Sequence, residues 1–171
     1  LNSINAEGGL YLQEINGLNL ILGEDILVNT IFSSITDSGI NGVVSNNANV
    51  SITVNNGNLN IDKLIAENQT VNLNVLNGSI IDVSGNDSVN IKAEILNLNA
   101  YNNVDVHLDI DVLNSNIYTA SSVIFEDIDS IKIGIIDASL AEVTLIVAPN
   151  GTFTDLYNDD LVNITLTKNW K

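Results

Sequence analysis

The chain has 171 residues, 45 % of them hydrophobic, which is enough for one domain with a sizeable core and too apolar for a disordered segment. Its 21 acids face 5 lysines and no arginine, a net charge of −16. That balance excludes nucleic acid as a partner, because nucleic-acid binding needs basic side chains to displace counterions, and it disfavours anionic membranes on the same ground.

Cysteine is absent, so no disulfide or thiol chemistry is available. Methionine is absent too, which points to a processed chain or a fragment. No run approaches the ~18 apolar residues of a membrane span, and no signal peptide is visible. An acidic, cysteine-free, Asn-rich chain of this kind fits an extracellular protein of a cell surface.

Short apolar runs punctuated by Asn, Gly, Asp and Ser predict strands from the first residue onward. Leu10 and Leu27 are candidate starts of early rungs. From Val50 the pattern is more regular, with similar starts at Val71, Val89, Val104, Val123, Val143 and Val162. Between them lie further strand-like pieces at 57–61, 78–83, 95–99, 130–134 and 151–155. Residues 62–68 are the best candidate for a helical turn, and 138–143 a weaker one. Pro149 before Asn150-Gly151 reads as a turn. Nothing divides the chain, so residues 1–171 are expected to form a single domain.

A spacing of about 19 residues is too long for hairpins and too short for a strand–helix–strand crossover of about 30. It suits one coil of a parallel β-solenoid, in which stacked coils about 4.8 Å apart pair their backbones and bury columns of Val, Ile and Leu. The 29 asparagines suit the turns and can form side-chain ladders between equivalent positions of neighbouring coils. The expected class is therefore all-β, a parallel β-solenoid. The alternative is an antiparallel β-sandwich, whose strands recur every 8–12 residues. A longer repeat also relates the segment from Leu1-Asn2-Ser3 to Glu14-Ile15 with that from Leu113-Asn114-Ser115 to Glu126-Asp127-Ile128.

The clearest single segment is 104–112, V-D-V-H-L-D-I-D-V. Its strict alternation places Asp105, His107, Asp109 and Asp111 on one outer face, with Val104, Val106, Leu108, Ile110 and Val112 inward. If Val89 and Val104 stack in register, Lys92 lies near this stripe. Asp105, Asp109 and Asp111 are a candidate calcium site. A solvated face that blocks sideways association is the simpler reading, since neither an EF-hand loop nor a calcium-binding nonapeptide is present. Two further acidic groups, Glu126/Asp127/Asp129 and Asp155/Asp159/Asp160 near Tyr157, read as turn chemistry.

Sequons at Asn49, Asn68, Asn77, Asn86, Asn150 and Asn163 are candidate glycosylation sites. The terminal segments carry repeat-like sequence and no evident cap. Leu1 and Ile4 at one end, and Ile164, Leu166 and Trp170 at the other, are candidate assembly surfaces.

Ile52-Thr-Val-Asn-Asn-Gly-Asn-Leu59 and Ile124-Phe-Glu-Asp-Ile-Asp-Ser-Ile-Lys-Ile-Gly134 resemble the repeats of filamentous-haemagglutinin-like and other giant repetitive bacterial surface proteins. The resemblance covers most of the chain, although the chain is richer in Asn and Ile and poorer in Gly, Ala and Thr. It implies a right-handed β-helix serving as the non-catalytic shaft of an adhesin or extracellular filament, and it supplies no catalytic residues. The expected partners are copies of itself or adjacent repeats, head to tail, with surface glycans or neighbouring cells beyond them. A small self-assembling subunit of a pilus-like fibre is the alternative within that class. A polysaccharide-degrading β-helix is the alternative outside it. An enzyme of that kind could use a carboxylate pair, but the chain has no Arg, one His and few aromatics to hold a sugar.

Overall fold

The computed structural model describes residues 3–5, 10–14, 18–20, 27–29, 34–36, 43–45, 49–84, 88–119, 122–138, 140–157 and 164–166. Every described element is a strand, and no described helix is long and apolar enough to cross a membrane. The first six strands are short: β1 (Ser3–Asn5), β2 (Leu10–Glu14), β3 (Leu18–Leu20), β4 (Leu27–Asn29), β5 (Ser34–Thr36) and β6 (Val43–Val44). Then come β7 (Val50–Val54), β8 (Leu59–Ile61), β9 (Leu64–Val75), β10 (Ile80–Asp82), β11 (Ile91–Ala100) and β12 (Val104–Ile117). The chain continues through β13 (Ser122–Asp127), β14 (Ile131–Ala138), β15 (Glu142–Val147), β16 (Phe153–Asp155) and β17 (Ile164–Leu166).

The architecture is a parallel β-solenoid. Fourteen strands join one sheet, and every pairing within it is parallel. One column of stacked positions runs Leu12, Ile52, Leu73, Leu98, Ser115, Ile136, Ile164. A second runs Leu18, Leu59, Ile80, Val104, Val123, Val143. A third runs Val43, Leu64, Ile91, Leu108. Ile52, Leu59, Leu64, Leu73, Ile80, Ile91 and Leu98 are fully buried in these columns. Each coil alone would leave its apolar side chains in water. Stacking removes them and pairs the backbone in the same step.

The alternation of branched apolar and short polar residues explains the strands, since successive side chains point to opposite faces. In β7 and the second half of β9, Val50, Ile52, Val54, Val71, Leu73 and Val75 point inward. Residues 62–68 form no helix. Leu64 and Ala66 are buried inside β9, where the inward column and the ladder to β11 outweigh local helix propensity. Ala138 ends β14, Leu140 and Ala141 lie at a bend, and Glu142 and Val143 open β15. Pro149 and Asn150 form the expected turn, closed by the Gly151 amide donating to the Ala148 carbonyl at 2.7 Å.

The coils are not uniform. Stacked residues lie 21, 25, 17 and 21 positions apart on successive coils, rather than about 19 throughout. The valine series therefore mixes two columns. Val50 stacks on Val71, whereas Val104, Val123 and Val143 belong to another wall. Val71 meets Leu96, and Val104 meets Ile80, so Val89 opens no rung in either column. Leu10 does open a rung, opposite Val50. Leu27 does not: β4 lies in a separate sheet, parallel to β1 and antiparallel to β5. The longer repeat is not a structural period either. Glu14 stacks on Val54 in the first wall, while Glu126 stands between His107 and Ile146 in the second.

Candidate functional site: the acidic stripe and its buried junction

β12 is the longest strand, and it crosses from one wall to the next. Its first part pairs with β13 and its last part with β14. Alternation holds from Val104 to Val112. Val104, Val106, Leu108 and Ile110 are buried, Asp105 and Asp111 are exposed, and His107 and Asp109 are half-buried. Val112 and Leu113 are then buried in succession, which marks the change of wall.

Lys92 stands opposite Asp109, two positions further along than Val89–Val104 stacking would place it. Its Nζ lies 2.9 Å from Asp109 Oδ2 and 3.0 Å from Glu67 Oε1. Hydrogen bonds to Asp109 and Glu67 hold its ammonium above the ordinary lysine value. Glu67 reaches it because β9 carries extra residues there: Ala66 and Thr70 stand opposite Ala93 and Ile95. Asn68 absorbs the bulge with a left-handed φ of 58°, which asparagine tolerates. Glu67, Asn68, Lys92, Ala93, Glu94, Asp109 and Asp111 line a shallow pocket of about 240 Å³.

The candidate calcium ligands are spread along this strand. Asp105 and Asp109 are four residues apart, about 13 Å on an extended backbone, whereas calcium takes oxygen ligands at about 2.3–2.6 Å. One ion cannot touch both, and Asp109 already faces Lys92. Among the described residues no three His, Asp or Glu side chains converge as a metal-holding group.

The stripe's histidine is the centre of a different arrangement. His107 Nδ1 lies 3.1 Å from Asp82 Oδ2, and Nε2 lies 3.2 Å from Glu126 Oε2. Asp82 comes from the coil before and Glu126 from the coil after. Beneath them sits Asn90, 0 % exposed. Its Nδ2 donates to Asp82 Oδ1 at 2.8 Å and to the Asp62 carbonyl at 3.2 Å, and its Oδ1 accepts from the His107 amide at 2.9 Å. Its own amide donates to the His107 carbonyl, and its carbonyl accepts from Leu64. Burial pushes the Asp82 carboxyl up, but hydrogen bonds from Ser84, Asn90 and His107 outweigh that and hold it below the usual carboxylate value.

Asp127 is the one buried acid among the described residues, 5 % exposed and stacked between Leu108 and Val147. Burial is the main cause that pushes its carboxyl up to about 6, and the nearby Asp129 charge adds to it. The Asp129 and Ile110 amides, donating to Oδ1 at 3.0 Å and Oδ2 at 3.2 Å, act in the opposite sense. Asp82, Asp127 and Asp155 each accept from the amide two residues on, which is turn chemistry at strand ends. Asp159 and Asp160 lie outside the described residues.

Of the sequon asparagines, Asn49, Asn68, Asn77 and Asn150 are exposed. Asn49 Oδ1 accepts from the Thr70 amide, and Asn77 Nδ2 donates to Asn56 Oδ1. Asn86 and Asn163 lie outside the described residues, as do Leu1 and Trp170. Ile4 stands opposite Val28 in the small sheet, and Ile164 and Leu166 pair back onto Ile136 and Ala138.

No protein-family model, curated protein or solved structure matches this chain.

The junction of Asn90, Asp82 and Glu126 around His107 is not evident from sequence. Asp82 and Asn90 stand at strand ends in coils of different length, and no fixed spacing links them to His107. Only the outward position of His107 was legible.

Proposed function

We propose that this chain is a structural, non-catalytic segment of a β-solenoid shaft, part of an extracellular adhesin or surface filament of the filamentous-haemagglutinin-like kind. The observation that carries the reading is the unbroken parallel column from Leu12 to Ile164, in which each coil pairs its backbone with the coil before and the coil after. Such a stack extends in one direction and makes a rod. Asparagine ladders strengthen the same axis: Asn97 donates to Asn72 at 2.8 Å, Asn114 to Asn97 at 2.9 Å, and Asn116 to Asn99 at 3.0 Å. A charge of −16 keeps the rod soluble, and the absence of cysteine leaves it indifferent to redox conditions outside a cell.

The histidine junction supports the structural side of this reading. Both ring nitrogens of His107 face carboxylates of neighbouring coils, Asp82 before it and Glu126 after it, so the ring ties three coils together. Its neighbours on the shaft would be adjacent repeats, or further copies joined head to tail. Two observations test the proposal. Antibodies against the chain should label intact cells of its source, and the purified protein should appear by electron microscopy as rods or rod segments. Labelling only after lysis would overturn the extracellular reading, and compact round particles would overturn the shaft.

A further inference from the structure

The charged residues are not spread evenly around the solenoid. Residues 50–61, 70–81, 95–104 and 112–119 contain no Asp, Glu, Lys, Arg or His, in a chain of net charge −16. These segments stack on one another through the wall of β7, β9, β11 and β12. Its outward positions are Ser51 and Thr53, then Asn72 and Asn74, Asn97 and Asn99, and Asn114 and Asn116. The next coil ends the neutral patch, because Asp137 stands opposite Asn116.

One edge of this wall is apolar. The amides of Leu76, Tyr101 and Tyr118 donate to Val54, Val75 and Ala100, so the three residues occupy equivalent places on successive coils. All three are exposed, Tyr101 by 42 % and Tyr118 by 59 %. The two rings lie nearly parallel, 28° apart, with centroids at 6.4 Å. Beyond this rim runs another polar row, in which Asn77 donates to Asn56 and Thr119 Oγ1 donates to Asn102.

From this geometry we infer that the uncharged wall is a binding face for a neutral glycan chain, laid across the coils along Leu76, Tyr101 and Tyr118. Tyrosine offers an apolar ring to the C–H face of a sugar and a hydroxyl to its polar edge. Each ladder asparagine spends at most one N–H and one lone pair on these bonds, and an amide has two of each, so a donor and an acceptor remain for sugar hydroxyls. The ladder fixes the amides in place beforehand, which lowers the ordering cost of binding.

Charge and area select the ligand. Cationic or anionic polymers have no counter-charge on this wall. Four coils at about 4.8 Å and six strand positions at about 3.3 Å give roughly 400 Å², about half of the ~800 Å² each partner contributes to a standard protein interface. That is too small for a second copy of the chain and ample for a few sugar units. The inference does not rest on the shaft reading, because the isolated 171 residues carry the whole face.

The test is titration of the purified chain, by calorimetry, with cellohexaose, chitohexaose and the anionic hexagalacturonate. At least one neutral hexamer should bind with a sub-millimolar Kd, and the anionic one should bind at least about tenfold more weakly. The double variant Tyr101→Ala/Tyr118→Ala should lose at least about tenfold in affinity with its circular dichroism unchanged. If that variant melts early, Tyr118→Ala alone removes the more exposed ring and should still weaken binding. Failure of both neutral hexamers to bind would overturn the inference. So would equal binding of hexagalacturonate, or affinity that survives loss of the rings. A side-by-side dimer in sedimentation that Tyr118→Arg dissociates would assign the face to a second copy instead.

Discussion

The amide wall and the acidic stripe are built on the same ladder and satisfy their outer positions in opposite ways. On the amide wall one residue type repeats from coil to coil, and each asparagine is the partner of the next. Any number of coils can be added without a new solution. On the acidic stripe, equivalent positions repel unless something differs between coils. There the partners are individual: Lys92 for Asp109 and Glu67, His107 for Asp82 and Glu126, Asn90 for Asp82. Self-complementary groups make a solenoid uniform, and charged groups make each coil specific. A substitution on the amide wall should therefore act on neighbours of its own kind, whereas one near the stripe should act on a single irreplaceable contact.

The largest effect should come from the core beneath the stripe. Leu108 is fully buried between Ile91 and Asp127. Leu108→Asp would place a second carboxyl beside one that is already buried. We expect a loss of at least about 4 kcal/mol, or no folded protein, by urea denaturation. Asp109→Ser, one residue away but outward, should cost little, because the Lys92 pair is open to solvent. Similar losses for the two would mean that the strand faces are not as described.

Next in size is the pH dependence carried by Asp127. Its carboxyl is pushed up to about 6 in the folded state from an ordinary value of 3.8, so the native protein binds this proton more tightly than the unfolded chain. Stability should therefore rise as pH falls from about 7 towards 4, by roughly 2–3 kcal/mol from this group. Asp82 works in the other sense. Its lowered value makes a contribution that is present above about pH 4 and lost below it. Denaturation midpoints measured from pH 4 to 8 should show the rise, and Asp127→Asn should flatten it. A wild-type curve with no slope over that range would mean that Asp127 is not buried as an acid.

Asn90→Leu should follow, at about 2–3 kcal/mol. Leucine has similar bulk, but it strips Asp82 of one donor and the His107 amide of its acceptor, both at half-buried or buried positions. The matched substitution on the amide wall is Asn99→Leu. It removes one ladder bond at a solvent-facing position and should cost less than half as much. Equal costs would erase the distinction between specific and self-complementary partners.

How far the sequence showed this depends on the kind of information. Period-two alternation tells inside from outside, and it did so for Val50–Val54, Val71–Val75 and the whole stripe. It does not tell one wall from another, because a strand can turn a corner without breaking it. That is why the valine series stepped from one column to another at Val89. The signal for a corner was present in Val112-Leu113, two adjacent apolar residues that break the alternation where β12 changes wall. The charge-free wall could also have been read from the sequence, once the segments were aligned by their true register rather than by an even spacing. The junction around Asn90 could not, because coils of 17, 21 and 25 residues leave no constant offset between its members.

A small effect of opposite sign is expected where the core column is imperfect among the described residues. Ser115 stands in the inward column between Leu98 and Ile136, 1 % exposed, and its Oγ has no hydrogen-bond partner. Every other described member of that column from Ile52 to Ile136 is Ile or Leu. A buried hydroxyl without a partner carries its desolvation cost and returns nothing, so removing it should help. Ser115→Ala should stabilise the fold by about 1 kcal/mol, visible as a raised denaturation midpoint at unchanged slope. Nothing on the outer face changes, so glycan affinity on the amide wall should stay as it is. Ser115→Val is the sharper version, because it also adds apolar volume. If space beside Ser115 is spare, valine should exceed alanine; if the column is already full, valine should fall below it through crowding. Destabilisation by alanine would show that the hydroxyl has a partner after all, and that this coil is as well satisfied inside as its asparagines are outside.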